Sequence, residues 1–319
     1  MPLPPELATA IAAATEGTDI RSLARAAKEL SDAYRAQRPI DRTYMTSAAH
    51  RLAYANTRLP ATYATTHSAL SHTIALLPSL PIASALDLAS GPATASWAAT
   101  QVWPSIDRIS LIEQDPDLIS LGKQLASDAP TALKSATWHN TDLTTATLDP
   151  HDLVICSYAI GELTSSAMTS LIEAAWQATR SLLVLIEPGT VPGFARIKAA
   201  RAQLIESGAY IVAPCPHANT CPMPDDDWCH FSKRLDRSSL HRHLKSADMG
   251  HEDEKFSYIA VSREPVSLAS GRILRHPQRR SGHARISVCL DDVISEVTVT
   301  RSQKANWKRL RRKEWGDQW

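Results

Sequence analysis

Residues 213–232 constrain the chain more than any other segment. They read Ala-Pro-Cys-Pro-His-Ala-Asn-Thr-Cys-Pro-Met-Pro-Asp-Asp-Asp-Trp-Cys-His-Phe-Ser. Three of the chain's five cysteines, Cys215, Cys221 and Cys229, fall within this window, along with four prolines and two histidines. Proline at that density removes backbone donors and blocks a helix, and no period-2 alternation marks a strand. A segment this irregular needs a clamp, and thiolates converging on a metal supply one. The spacing Cys-x5-Cys-x7-Cys gives three ligands where a tetrahedral or cubane site needs four. Cys289 is the natural fourth, and His217 and His230 compete for the place, since three cysteines and a histidine also hold zinc. Neither the tight Cys-x2-Cys of zinc knuckles nor a ferredoxin spacing is present. Spacing therefore predicts a metal site and leaves its identity open.

Clustered cysteines point to metal binding rather than disulfides when the compartment is reducing. The opening Met1-Pro-Leu-Pro-Pro-Glu6 has no basic, apolar leader, and its acids and late first arginine, Arg21, argue against a transit peptide. No apolar run approaches the roughly 18 residues of a membrane span. The expectation is a bacterial cytoplasmic protein with no membrane partner, a monomer rather than an oligomer.

Residues 1–80 read as a helical N-terminal extension, with apolar periodicity over 6–14, 19–38 and 66–77. Residues 43–65 are less periodic, and the extension carries basic positions at Arg42, Arg51 and Arg58. From Pro81 strands and helices alternate. Strands are predicted at 84–88, 108–112, 137–139, 152–158, 182–186, 210–213 and 256–262. Helices fall between them at about 93–103, 116–126, 165–179, 193–207 and 238–247. This is the pattern of an α/β, Rossmann-like domain over 81–264 with a mostly parallel sheet. Its cysteine-rich insertion spans 213–254. Ligands in such sheets sit beyond the carboxyl ends of the strands. A small β domain over 265–319 completes the chain, with strands at 285–290 and 293–300.

After the first strand, Asp87-Leu88-Ala89-Ser90-Gly91-Pro92-Ala93 resembles the S-adenosylmethionine loop of class I methyltransferases. Such a loop needs a tight turn whose backbone approaches the cofactor, and Gly91 meets that need. Ala89 and Ala93 stand where the usual motif has glycine. Glu113 ends the second strand, where a carboxylate accepts ribose hydroxyls, and Asp142 follows the third, within reach of an adenine amino group. Tyr158 and Glu162 follow the fourth strand and are candidates to line a pocket. Cys156 reads as a small core residue, because it lacks the preceding proline of RNA cytosine-5 enzymes. These residues support cofactor binding more firmly than methyl transfer, and no catalytic residue is assigned.

The chain's net charge of +1 hides an asymmetry. From Gly271 onward 12 Lys/Arg face 5 Asp/Glu, a net of +7. A basic end on an acidic body is the footprint of a polyanion contact. Lys304, Lys308, Arg309, Arg311, Arg312 and Lys313 are the predicted phosphate contacts, with Trp307 and Trp315 available for stacking on RNA bases.

Further motifs are Arg58-Leu-Pro-Ala-Thr-Tyr63, Ser157-Tyr-Ala-Ile-Gly-Glu-Leu163, Ile186-Glu-Pro-Gly-Thr190 and Glu254-Lys-Phe-Ser-Tyr258. With Ala213-Pro-Cys-Pro-His217, Trp228-Cys-His-Phe-Ser232, Arg272-Ile-Leu-Arg275 and Trp315-Gly-Asp317, they resemble a family of methyltransferase-like proteins of the small ribosomal subunit, in bacteria and mitochondria. The resemblance runs from about residue 40 to the end. It implies that Cys215, Cys221, Cys229 and Cys289 hold a [4Fe–4S] cluster, and that the C-terminal β domain contacts ribosomal RNA. It also implies S-adenosylmethionine as cofactor and a role in assembly or translation by the small subunit, with rRNA methyl transfer as the activity. The alternatives are an assembly factor that uses the fold for structure alone, and a zinc-bearing small-molecule methyltransferase, which would not need the basic end.

Overall fold

The computed structural model describes residues 1–35 and 45–319; Arg42 lies outside them. Four helices come first: α1 (Pro5–Thr15), α2 (Ile20–Arg35), α3 (Ala48–Thr57) and α4 (Leu59–Ile74). Ser47 starts α3 by accepting the backbone N–H of His50, and Pro60 opens α4, where its missing N–H costs nothing. The less periodic stretch expected over 43–65 is thus two helices from Ala48 onward. Its periodicity is weak because α4 is buried nearly all round: Ala61, Thr62, Ala64, Thr65, Thr66 and Ser68 are all enclosed, so no polar stripe marks a solvent face.

The sheet that follows contains β1 (Ser84–Leu88), β2 (Arg108–Glu113), β3 (Thr137–Asn140), β4 (His151–Ser157), β5 (Thr179–Pro188), β6 (Tyr210–Ala213), β7 (Phe231–Asp236) and β8 (His251–Ser262). Its order is β3-β2-β1-β4-β5-β8-β6, with β7 also on β8. The first five strands are parallel; β8 runs antiparallel to β5, β6 and β7. The helices between are α5 (Thr94–Val102), α6 (Pro116–Leu125), α7 (Thr131–Lys134), α8 (Ser165–Gln177), α9 (Val191–Glu206) and α10 (Ser239–Leu244). Alternate strand residues feed two cores. Ala85, Leu111, Ile155 and Val184 pack with Leu59, Tyr63 and Trp97 of α4 and α5. Leu86, Ile112, Val154 and Leu185 pack with Ile172, Trp176 and Ile197 of α8 and α9. Both faces are covered, as a parallel sheet requires, and each fully buried aliphatic side chain contributes about 1.5–3 kcal/mol.

Strand β7 was not expected: the insertion was read as an irregular segment over 213–232 and then a helix at 238–247, with no strand between. The run Ser-Lys-Arg-Leu-Asp after Phe231 conceals it, because only Phe231 and Leu235 are buried. Pairing with residues 251–256 supplies the missing partner and lengthens β8 beyond the predicted 256–262.

A second sheet holds β9 (Arg272–Ile273), β10 (Gln278–Arg279), β11 (His283–Leu290) and β12 (Val293–Thr300), followed by α11 (Lys304–Leu310). Ile273, Ile286, Val288, Val299 and Leu310 form its core. Among the described residues no helix is long and apolar enough to cross a membrane.

Candidate functional site

A cleft of about 590 Å³ opens at the carboxyl ends of β1, β2, β4 and β5, within the size range of small-molecule sites. The β1–α5 turn forms one wall. Gly91 has φ +53°, and Ala89 (φ +52°) and Ala93 (φ +65°) adopt the same left-handed region. Both alanines therefore keep the turn a glycine would make, at about 1–2 kcal/mol of backbone strain each. A side chain at Gly91 would meet only the Tyr54 hydroxyl, at 4.0 Å, so the backbone there is open to a ligand.

Glu113 holds this turn in place. Its Oε2 accepts the Gly91 N–H at 2.8 Å and its Oε1 accepts the Asp115 N–H at 2.9 Å. A carboxylate has about four lone-pair sites, so capacity for ribose hydroxyls remains. Burial pushes the Glu113 carboxyl up, opposed by those N–H bonds. Asp87 lines the cleft but turns Oδ2 inward to the N–H (3.0 Å) and hydroxyl (2.8 Å) of Ser96. It positions the turn through α5, and burial pushes it up to about 7 against the Ser96 bonds. Asp142 is exposed at the rim; the Thr144 hydroxyl and N–H donate to its Oδ1 and hold it below the usual carboxylate range. Tyr158, with φ +61°, donates its hydroxyl to Thr65 Oγ1 at 3.2 Å. The six residues expected to bind cofactor all line this one cleft.

Several cleft residues were not expected there. Tyr54, Arg58 and Thr62 reach it from α3, α4 and the junction between them. Arg58 pairs with Glu254 at 3.3 Å, and Arg51 pairs with Asp117 at 2.9 Å; both basic positions of the extension are tied to the sheet domain. Glu187 and Arg196, at the end of β5 and on α9, face each other at 3.5 Å. They stood inside or beside quoted motifs, which was the only available pointer.

Cys215, Cys221, Cys229 and Cys289 line a second, smaller cavity of about 40 Å³ between α9, β8 and β11. All are free thiols. Phe194, Ile197 and Arg201 of α9 face it, while Pro192 and Arg196 of the same helix face the cleft, so α9 is the partition between the two cavities. His217 lines the cysteine cavity, its Nε2 3.5 Å from Cys289 Sγ. His230 does not; it stacks on Trp228 with ring centroids 4.9 Å apart. Among the described residues no three His, Cys, Asp or Glu side chains converge closely enough to hold a metal ion. Four thiols and two guanidiniums share the cavity lining, a donor set that could hold a thiolate-ligated group. Burial and mutual repulsion push the Cys215 and Cys229 thiols up, and Cys289 up to about 12, so a metal must displace their protons. Three buried nitrogens on the same cavity have no hydrogen-bond partner: Arg201 Nε, Arg272 Nη2 and His217 Nδ1. Two guanidiniums there offset thiolate charge and leave N–H groups for sulfur. Cys156 is 1% exposed within the sheet core.

Lys304, Lys308, Arg309, Arg311 and Arg312 are exposed on α11 and the turn after it, and Lys313 is half-buried. The tryptophans are committed elsewhere. Trp307 packs on the small-domain core. Trp315 lies edge-on between His230 and His276, with centroids 5.0 and 4.9 Å away, and its buried Nε1 has no hydrogen-bond partner. The expectation that Trp315 is available for RNA stacking is corrected: the C-terminal Trp-Gly-Asp docks back on the cysteine segment.

The strand order, one antiparallel strand in an otherwise parallel sheet, and the β1–α5 turn over the cleft define a class I methyltransferase fold. The comparisons then name the group: the chain belongs to the family described as mitochondrial small ribosomal subunit Rsm22, which matches residues 48–319. Rsm22-cox11 tandem protein 2, mitochondrial, of Schizosaccharomyces pombe is 27% identical over 83% of this chain and 42% of its own length. Human ribosome assembly protein METTL17, mitochondrial, is 24% identical over 83% of this chain and 61% of its own. The chain thus spans about half the length of these curated relatives. Among solved structures, magnesium protoporphyrin IX methyltransferase of Synechocystis PCC 6803 covers 78% of the chain at 12% identity and TM-score 0.43; the fold assignment rests on the strand order instead. The expectation of a bacterial cytoplasmic protein is overturned, because the family and both relatives are described as mitochondrial.

Proposed function

We propose that this protein is an S-adenosylmethionine-binding, [4Fe–4S]-bearing factor that acts on the small ribosomal subunit and docks on its RNA through residues 265–319. One observation carries the reading: four thiols, three from the 213–232 segment and one from β11, line a single cavity with two buried arginines. Cys215, Cys221, Cys229 and Cys289 would hold the cluster, which when bound supplies an oxygen-sensitive crosslink between the cofactor domain and the basic domain. Gly91, Ala89, Glu113, Asp142 and Tyr158 would surround the cofactor, with Asp87 holding the turn through Ser96. The family description supports the ribosomal partner, and the +7 charge after residue 271 supports the RNA contact.

The test is anaerobic purification followed by iron and acid-labile sulfide analysis of the wild type, Cys289→Ser and Cys156→Ser. Iron and sulfide in equal amounts in wild type and Cys156→Ser, lost in Cys289→Ser, support the cluster. A colourless protein with one zinc ion sinks it. Turnover is tested with methyl-labelled S-adenosylmethionine on immature small subunits. Absence of transfer, with cofactor still bound, favours the assembly factor over the rRNA methyltransferase.

A further inference from the structure

The cleft has a second end, where Tyr158 is the one proposed cofactor residue. Beyond the β1–α5 turn it runs to the ends of β4 and β5, where Glu187 is 1% exposed. Glu187 Oε2 receives Arg196 Nη1 at 3.5 Å and the carboxyl also meets the Gly161 N–H, while the buried Oε1 has no hydrogen-bond partner among the described residues. A buried acceptor left unmade costs about 1–3 kcal/mol, so its retention needs a reason. The surroundings look built. Tyr158, beside it at the end of β4, is held at φ +61°. Gly161 passes directly over the carboxyl, where a Cβ would stand 2.9 Å from Oε2 and 3.1 Å from Arg196 Nη1. Strain and a close approach at one spot are the marks of a functional pocket.

Charge narrows what fits. Seven carboxylate residues and two arginines, Arg58 and Arg196, line the cleft among the described residues. Such a cleft repels phosphate, so a nucleic-acid strand would keep its backbone on the basic domain and present only a base. Two acids at this end face guanidiniums, Glu187 with Arg196 and Glu254 with Arg58, while Glu162 lines it with no ion pair among the described residues. A neutral group that donates N–H to the unfilled Glu187 oxygen adds no anion to this acidic cleft and needs no further counter-charge at Glu187.

We propose that Glu187 Oε1 is the recognition point of an acceptor subsite for an amino-bearing nucleobase, with Gly161 and Tyr158 shaping the slot. This rests on the reading of the cleft as a cofactor site, since the base would meet the cofactor there. Burial pushes the Glu187 carboxyl up to about 7, so above that pH discrimination comes from the hydrogen bond: a keto group in place of the amino group would set oxygen against oxygen.

Binding of cytidine and uridine to the full chain at about pH 8, where the Glu187 carboxyl is ionised, with saturating S-adenosylhomocysteine, tests it by calorimetry. Cytidine is the probe because adenosine would compete for the cofactor end. Cytidine should bind about tenfold more tightly than uridine, the value of one hydrogen bond to a charged group. Glu187→Met should erase the difference while keeping affinity for S-adenosylhomocysteine, which shows the cleft intact; Glu187→Gln, which retains an acceptor oxygen, should keep part of it. Equal binding of the two nucleosides, no nucleoside binding, or preference for a lysine peptide would overturn the proposal. If S-adenosylhomocysteine fails to bind wild type while the cytidine preference persists, the cofactor reading fails and the base subsite stands.

Discussion

Trp228 Nε1 donates a 2.9 Å hydrogen bond to the carbonyl oxygen of Gly189. One partner lies between the second and third cysteines of the 213–232 segment, and the other in the turn that joins Glu187 to α9. Gly189 is fixed from the opposite side too, since its N–H donates to Lys255 O at 2.8 Å and a Cβ there would sit 2.6 Å from the Phe256 nitrogen. The indole therefore pins a turn that cannot relax by growing a side chain. Trp228→Phe keeps an aromatic ring beside His230 and removes the donor, together with part of the indole's packing. It should cost about 1 kcal/mol, a fall of about 2 °C in Tm for a chain of this size. Gly189→Ala should cost more, by displacing the β8 backbone. Thermal unfolding of both variants checks the order; a larger loss for Trp228→Phe would mean that the hydrogen bond is not its main contribution.

The two left-handed alanines make an unusual stability prediction. Ala→Gly in ordered structure normally destabilises, by roughly 0.5–1 kcal/mol. At Ala89 and Ala93 the backbone is already where glycine is at ease, and relief of about 1–2 kcal/mol of strain offsets that entropy. Ala89→Gly should be neutral or stabilising by up to about 1 kcal/mol, whereas Gly91→Ala, with φ +53° and open space around it, should lose about 1 kcal/mol through strain alone. Urea midpoints decide; destabilisation by Ala89→Gly would show that its methyl group makes contacts worth more than the strain.

Asp87 gives the pH dependence a definite sign. Burial raises its carboxyl from 3.8 to about 7 in the folded chain, against the Ser96 hydrogen bonds, with Glu113 adding to the rise. The folded state thus holds a proton that the unfolded chain releases near pH 4. Wild-type stability contributed by this group is fullest below about pH 4 and declines as pH rises toward 7, by an amount on the order of a few kcal/mol. Asp87→Asn cannot ionise and keeps an acceptor for Ser96, so the wild-type-minus-variant difference should shift against wild type between pH 5 and pH 8. An unchanged difference across that interval would place the Asp87 titration outside it.

How far the sequence reached follows from what each element is made of. Strands β1 and β6 were legible to the residue, because short apolar runs bounded by turn residues leave no other reading. So was the start of α8, where Thr164 accepts the Ala167 N–H; the acids expected at a cofactor line one cleft because they follow their strands in order. Strand β7 was hidden because Lys233 interrupts its buried face between Phe231 and Leu235, Arg234 and Asp236 are exposed, and its partners are fifteen to twenty-five residues away. Helix α11 was hidden by its charge, with only Leu310 fully buried. The acceptor end was illegible for a different reason. Glu187, Arg196, Arg58 and Glu254 come from distant parts of the chain, and nothing in their local spacing says that folding stands them around one slot. The cysteine cavity falls between these cases: the thiols were visible, while Arg201 and Arg272, which face them, were not.

The basic end is tested by salt. Lys308, Arg311 and Arg312 are exposed on α11 and its following turn, while Trp307 packs against the small-domain core. If the three cations contact phosphates, replacing all three with alanine should lower affinity for a small-subunit rRNA fragment. It should also flatten the slope of log K against log salt by about 2, at roughly 0.7 per phosphate on single strands. Trp307→Ala should act differently: it leaves the charge in place, so the slope should hold while the domain loses stability through the vacated core position. A triple variant with the wild-type slope would move the RNA contact off this helix and onto the arginines of β10 and β11, Arg279 and Arg285, whose substitution would then carry the missing salt dependence.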